Sequence, residues 1–152
     1  MKKLFAPLLL SLAVLLLAGC GSSTAVITSG LQVDLVKLQR AGNGDIQVTW
    51  RVRNPNVVPY VLARTNLKIS LAGKPIGTLN DPTRIGVPSG NEVQRTGVLT
   101  LGGPEAGQTI SQAIAQGTAP YSLNASLWMV LTEDKEEKFQ LTGSGTVPVT
   151  AE

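Results

Sequence analysis

Cys20 is the only thiol in the 152-residue chain, and the chain has no histidine. Without imidazole the commonest general base and the commonest metal ligand are missing. One cysteine can form no internal disulfide and cannot by itself hold a metal. A Ser-Lys pair or paired carboxylates would be the remaining routes to hydrolysis, and no spacing suggests either. The sequence therefore predicts no catalytic residue, no metal ligand set and no cofactor. Two other groupings carry chemical potential. Arg51 and Arg53 stand two residues apart and offer an anion site or, more simply, the solvated face of a strand. Asn54-Pro55-Asn56 combines side chains that bond to nearby backbone with a residue that cannot donate. It reads as a structural corner and not as a binding site.

The stretch before Cys20 explains the lone cysteine. Met1 to Cys20 reads MKKLFAPLLLSLAVLLLAGC, with a basic start at Lys2 and Lys3, an apolar run from Leu4 to Leu17, and small residues after it. That is the layout of a secretory signal peptide. The apolar run is short for a bilayer span, which needs roughly 20 residues. Leu17, Ala18, Gly19 and Cys20 resemble the bacterial lipobox, where signal peptidase II cuts just before a cysteine that becomes lipidated. The resemblance implies a signal peptide over 1–19 and a mature chain that starts at acylated Cys20. A single myristoyl-length chain anchors only marginally, whereas two or three acyl chains hold a protein stably. No aspartate follows the cysteine, so the expected place is the outer membrane, on its periplasmic leaflet, in a two-membrane bacterium. In a one-membrane cell it is the outer face of the cell membrane. Gly21 to Gly30 reads as a tether, so that 20–30 links anchor to domain.

Processing also changes the charge. The whole chain carries +3. Two of its thirteen basic residues leave with the signal, so eleven face ten acidic ones. This near-neutral balance gives no basic patch for nucleic acid. The expected partners are the membrane, envelope proteins or stressed client proteins. What remains after the tether suits one domain with a packed core.

From 31 to 150 the pattern is that of strands. Leu31, Val33 and Leu35 alternate with polar residues, then Val36 and Leu38 change phase, which predicts a bulge near Leu35. Asn43-Gly44 is a hairpin turn signal. Ile46, Val48, Trp50 and Val52 alternate against Gln47, Thr49, Arg51 and Arg53, a strand with one wet face. Further strands are expected at 60–63, 66–71, 76–79, 92–101, 121–131 and 139–150. The turns between them lie at Ala72 to Pro75, Asn80 to Pro82 and Pro88 to Asn91. Gly97 interrupts one strand, and Gly143 and Gly145 allow another to bend. Pro148 marks an edge. Leu131, Phe139, Leu141, Val147 and Val149 are read as inward. Trp128 falls on the nominally wet side, either covered by the helix or a loop or exposed for contact, and cover is the expectation. Glu133 to Lys138 forms a charged hairpin tip. Pro104 to Gln116 alone has helical spacing, through Ala106, Ile110, Ala113 and Ile114, with Pro104 suited to the start and Gly117 to the stop. Seven to nine short strands and one helix describe an all-β sandwich.

Three segments in order resemble the water-stress and hypersensitive-response (WHy) domain, also called the group-2 late-embryogenesis-abundant (LEA type 2) domain. They are Ile46 to Asn56 (IQVTWRVRNPN), Leu67 to Gly77 (LKISLAGKPIG) and Val87 to Val93 (VPSGNEV). Trp50 departs from the smaller apolar residue often found there. The resemblance implies an immunoglobulin- or fibronectin-III-like antiparallel β-sandwich with one short α-helix, and Asn54, Pro55 and Asn56 as a structural motif. It also implies a non-enzymatic protein that protects others under desiccation or osmotic stress, or acts as a chaperone. Two other functions fit the same residues: a binding or scaffold subunit of an envelope assembly, and an envelope protein that carries lipid between its sheets.

Overall fold

The computed structural model describes residues 30–152. The signal peptide over 1–19, the Leu17-Ala18-Gly19-Cys20 site and all of the tether except Gly30 lie outside the described residues. Within them the chain forms nine strands and one helix. The strands are β1 (Gln32–Arg40), β2 (Ile46–Asn54), β3 (Tyr60–Leu71), β4 (Lys74–Asp81), β5 (Ile85–Val87), β6 (Asn91–Val98), β7 (Thr100–Leu101), β8 (Thr118–Thr132) and β9 (Lys135–Ala151). The helix, α1 (Pro104–Gln116), has the predicted bounds. The fold is all-β with one short helix, as the alternation predicts.

The strands form one curled sheet in the order β6-β2-β1-β9-β8-β3-β4-β7, with β5 paired to β3. All neighbours are antiparallel except β1 and β9, which run parallel over Leu38 to Arg40 and Val149 to Ala151. The curl brings β6 over β4, where Gly97 lies against the Leu79 side chain. One apolar interior results. Ile46, Val48, Trp50 and Val52 are buried, and so are Leu67, Ile69 and Leu71 across from them in the fold. The helix closes one end through Ala106, Thr109, Ile110 and Ala113. Gly117 ends it in the left-handed conformation at φ 76°, a backbone shape that glycine adopts without a Cβ penalty. Arg40 reaches the helix flank and donates to Ser111 Oγ at 2.9 Å.

Several local expectations change. The two short strands expected at 60–63 and 66–71 are one strand, β3, because an irregularity between Leu62 and Arg64 absorbs the change of phase. The loop expected from Asn80 belongs to β4, which runs to Asp81. The strand expected over 92–101 divides at Leu99 and not at Gly97, and β7 crosses to pair with β4. A shift between Val130 and Thr132 turns Leu131 outward. The hairpin tip shrinks to Glu133-Asp134, since β9 starts at Lys135. Phe139 and Leu141 are half-buried, whereas Val147 and Val149 are fully inside. Pro148 is not at a sheet edge: β9 lies between β8 and β1. The proline is accommodated beside the point where the next residue, Val149, donates to Gly117 O at 2.9 Å.

The bulge predicted near Leu35 is present, between Leu35 and Lys37. It sits where β1 is close to β9 but not yet paired with it. Gly143 faces the Val33 carbonyl there, and a Cβ on residue 143 would collide with that oxygen. Leu35 N–H instead donates to the Tyr121 hydroxyl at 3.2 Å.

Candidate functional site

Three groupings of polar side chains stand out on this frame. The first is the Asn54 corner. Asn54 continues the inward phase of β2 and is fully buried. A buried amide needs partners, and Asn54 has them on both ends. Its Nδ2 donates to the carbonyls of Val58 at 2.8 Å, Pro88 at 3.2 Å and Val87 at 3.3 Å. Its Oδ1 accepts from Asn56 N at 3.0 Å and from Asn56 Nδ2 at 3.1 Å. Gly90 N–H then donates to Asn56 O at 3.1 Å. One side chain thus ties the β2–β3 loop to the β5–β6 turn, and all its capacity is used internally. Asn54 and Asn56 hold this corner together through their side chains.

The same corner receives the start of the domain. The position a Cβ would take at Gly30 is 3.1 Å from Asn56 Oδ1. The loop tip beside it is apolar: Val57 is 92% exposed and Val58 54%.

The second grouping contains Arg51 and Arg53. Asp34 Oδ2 lies 3.4 Å from Arg51 Nε and 3.0 Å from Arg53 Nη2. Glu92 Oε2 lies 3.5 Å from both Arg51 Nη1 and Arg53 Nε. Two carboxylates from β1 and β6 therefore match two guanidinium groups on β2. The anion-site alternative is set aside, because the positive charge is already balanced.

The third grouping lies on the outer face of β3, β8 and β9. The pairing registers place Arg64, Trp128 and Lys138 in one row across the strands. Asn66, Ser126 and Gln140 form the next row, and Lys68, Asn124 and Thr142 the one after. All of these side chains except Arg64 line a concave pocket of about 720 Å³. Trp128 is half-buried in it, but neither α1 nor a loop supplies the cover. The Arg64 guanidinium carbon is 4.6 Å from the ring centroid and Lys138 Nζ is 5.2 Å from it. Arg64 also approaches Glu136 at 3.4 Å. Asn66 Nδ2 donates to Asn80 Oδ1, which extends the polar face to β4. The sequence marks Trp128 as unusual, but the rows depend on cross-strand register, which periodicity within single strands does not supply.

Among the described residues, no group of three or more Cys, Asp or Glu side chains is placed to hold a metal. No helix there is long and apolar enough to cross a membrane. One phenol is perturbed: burial pushes the Tyr121 hydroxyl above its usual pKa, against the opposing effect of the Leu35 hydrogen bond.

No family model and no curated protein matches the sequence. Solved structures do resemble the fold. One is a protein from Archaeoglobus fulgidus, 14% identical over 78% of this chain and 94% of that chain, with a TM-score of 0.42. Another is AT1g01470 from Arabidopsis thaliana, 17% identical over 78% of each chain, with a TM-score of 0.46. A third is described as a late-embryogenesis-abundant (LEA) protein, At2g46140.1. It is 12% identical over 84% of this chain and 76% of that one, with a TM-score of 0.48.

Proposed function

We propose that the protein is a lipid-anchored, non-enzymatic component of the cell envelope, held at Cys20 and protective or chaperone-like toward other proteins under drying or osmotic stress. The observation that carries the anchor is the run from Lys2 to Cys20, ending in Leu17-Ala18-Gly19-Cys20. The domain's geometry suits that anchor. Its first described residue, Gly30, packs against Asn56, beside exposed Val57 and Val58. The segment from Cys20 to Gly30 reaches at most roughly 35 Å when extended. An acylated Cys20 would therefore keep this apolar loop tip near the membrane. The protective role rests on the ordered resemblance of Ile46 to Asn56, Leu67 to Gly77 and Val87 to Val93 to the WHy/LEA type 2 pattern.

Intact mass of the protein from its native membrane, beside a Cys20→Ala variant, tests the anchor. A chain that begins at Cys20 with added acyl mass is the expected result. An unacylated chain that begins elsewhere would remove the anchor. The protective role is tested separately, by drying a heat- and desiccation-sensitive enzyme with and without the purified protein. Equal loss of the enzyme's activity in both samples would end that reading.

A binding role is the second reading, and the concave face around Trp128 favours it.

A further inference from the structure

The concave face of β3, β8 and β9 has a lining that a merely solvated sheet does not need. Its side chains come from three strands, and the pocket they line holds about 720 Å³. Two lysines, Lys68 and Lys138, line it together with Asn66, Asn124, Ser126, Gln140 and Thr142. No carboxylate is part of the lining. Neither lysine has an ion-pair partner among the described residues, in contrast to Arg51 and Arg53, which share Asp34 and Glu92. The face thus combines uncompensated positive charge with amides and hydroxyls, groups that can both donate and accept hydrogen bonds.

We propose that this face binds an acidic polysaccharide strand, with sugar hydroxyls on the amide and hydroxyl rows and sugar carboxylates on Lys68 and Lys138. The proposal does not depend on the lipid anchor or on a protective role. Three features select this ligand class. Over the pocket β3 and β8 are paired on both sides, and β9, which β1 joins only from Val149 on, could take an added peptide strand beside this face but not across it. Trp128 has one cation from each neighbouring strand against its ring, and these compete with a nucleic-acid base for stacking on it. Of the apolar side chains in the lining, Ala125 is buried and Leu141 and Trp128 are half-buried, so a protein partner would meet mostly the polar tips between them. What it offers is a row of hydrogen-bonding tips with two charges, the complement of a chain rich in hydroxyls and carboxylates. Trp128 acts as a wall that fixes Lys138 through a cation–π contact.

Affinity electrophoresis and calorimetry with the full-length protein test the assignment. The probes are polygalacturonate, neutral dextran, polyglutamate and single-stranded DNA. Binding to polygalacturonate at least about tenfold tighter than to the other three is expected, because both hydroxyls and charge are read. The double variant Lys68→Gln/Lys138→Gln should lose at least about tenfold of it. Asn124→Ala should weaken it with charge unchanged. Lys37→Gln/Lys74→Gln, which removes two lysines away from the pocket, should leave it intact. Cys20→Ala should also retain it, so loss of the anchor and loss of this site are separate results. Polygalacturonate binding that is absent, that is matched by polyglutamate or DNA, or that survives Lys68→Gln/Lys138→Gln overturns the proposal. Lys68, Lys74, Asn124 and Lys138 are exposed and Lys37 is half-buried, and circular dichroism before binding confirms that a loss is not unfolding.

Discussion

The Tyr121 hydroxyl accepts a hydrogen bond from the Leu35 backbone N–H at 3.2 Å, across 86 residues of chain. The bond does the work of a missing strand pair. β1 leaves the ladder with β9 before Leu38, and its bulge at Leu35 would otherwise leave a buried donor without a partner. An unpaired buried N–H costs about 1–3 kcal/mol. Tyr121→Phe keeps the ring and removes the acceptor, so urea unfolding should show a loss in that range. A variant as stable as the parent would mean that water or another group serves Leu35 equally well.

The same residue sets an alkaline limit. Burial raises the folded-state pKa of Tyr121 above the usual value, about 10 for a free tyrosine. Above that pH the unfolded chain has released the phenol proton while the folded protein still holds it. The contribution is complete below pH about 10 and is lost as pH rises through the folded-state value. The parent should therefore lose stability above pH about 10 more steeply than Tyr121→Phe. Parallel alkaline limbs would contradict the assignment.

Asn54 concentrates the corner's hydrogen bonds in one buried side chain. Removing its amide leaves the Val58, Val87 and Pro88 carbonyls without that donor. Asn54→Ala should cost about 2–4 kcal/mol, more than one ordinary hydrogen bond. Asn54→Asp should cost more still, since a carboxylate would face three carbonyl oxygens in a buried site. Thermal melts of the three proteins rank them. Asp as stable as Asn at neutral pH would be inconsistent with the geometry.

Two glycines that look alike in sequence should answer oppositely to alanine. At Gly143 a Cβ would meet the Val33 carbonyl oxygen and the Leu123 side chain. Gly143→Ala must force β1 from β9, an overpacking cost of about 1–3 kcal/mol. At Gly107, within α1, nothing lies within 4 Å of the added carbon. Gly107→Ala should stabilise by about 0.4–1 kcal/mol, because alanine restricts the unfolded chain and favours helix. Denaturant midpoints that move in the same direction for both would refute the packing argument.

These positions also mark what could be read without coordinates. Ile46 to Val52 and Pro104 to Gln116 were legible because each holds one period and buries one face against the core. The bulge at Leu35 was legible as a phase change. Leu131 was not, since its outward turn comes from a shift in pairing with β9, which is a property of two strands. Pro148 misleads for a related reason: its missing donor falls where β9 passes from one neighbour to another. The face around Trp128 depends on three strands coming into register. Each strand alone shows only an alternating polar side, and the rows exist only after β3, β8 and β9 are aligned.

With Cys20 acylated as proposed, Gly30 beside Asn56 sets the end of the domain nearest the anchor. Asn54 pairs with Asn91 at that end of β2, whereas Gln47 pairs with Val98 at the other. Val57 and Val98 are both exposed apolar residues, 92% and 56%, and so make a matched pair of probes at opposite ends. Tryptophan settles readily at the membrane–water interface. In the acylated protein reconstituted with brominated lipid, Val57→Trp should add a quenched emission component to that of the parent, and Val98→Trp an unquenched one. Trp50 contributes equally to both, being fully buried, and so does Trp128. Quenching at Val98 and not at Val57 would place the opposite end at the bilayer. Quenching at neither would mean that the tether holds the domain clear of the lipid surface and that the exposed valines have another use.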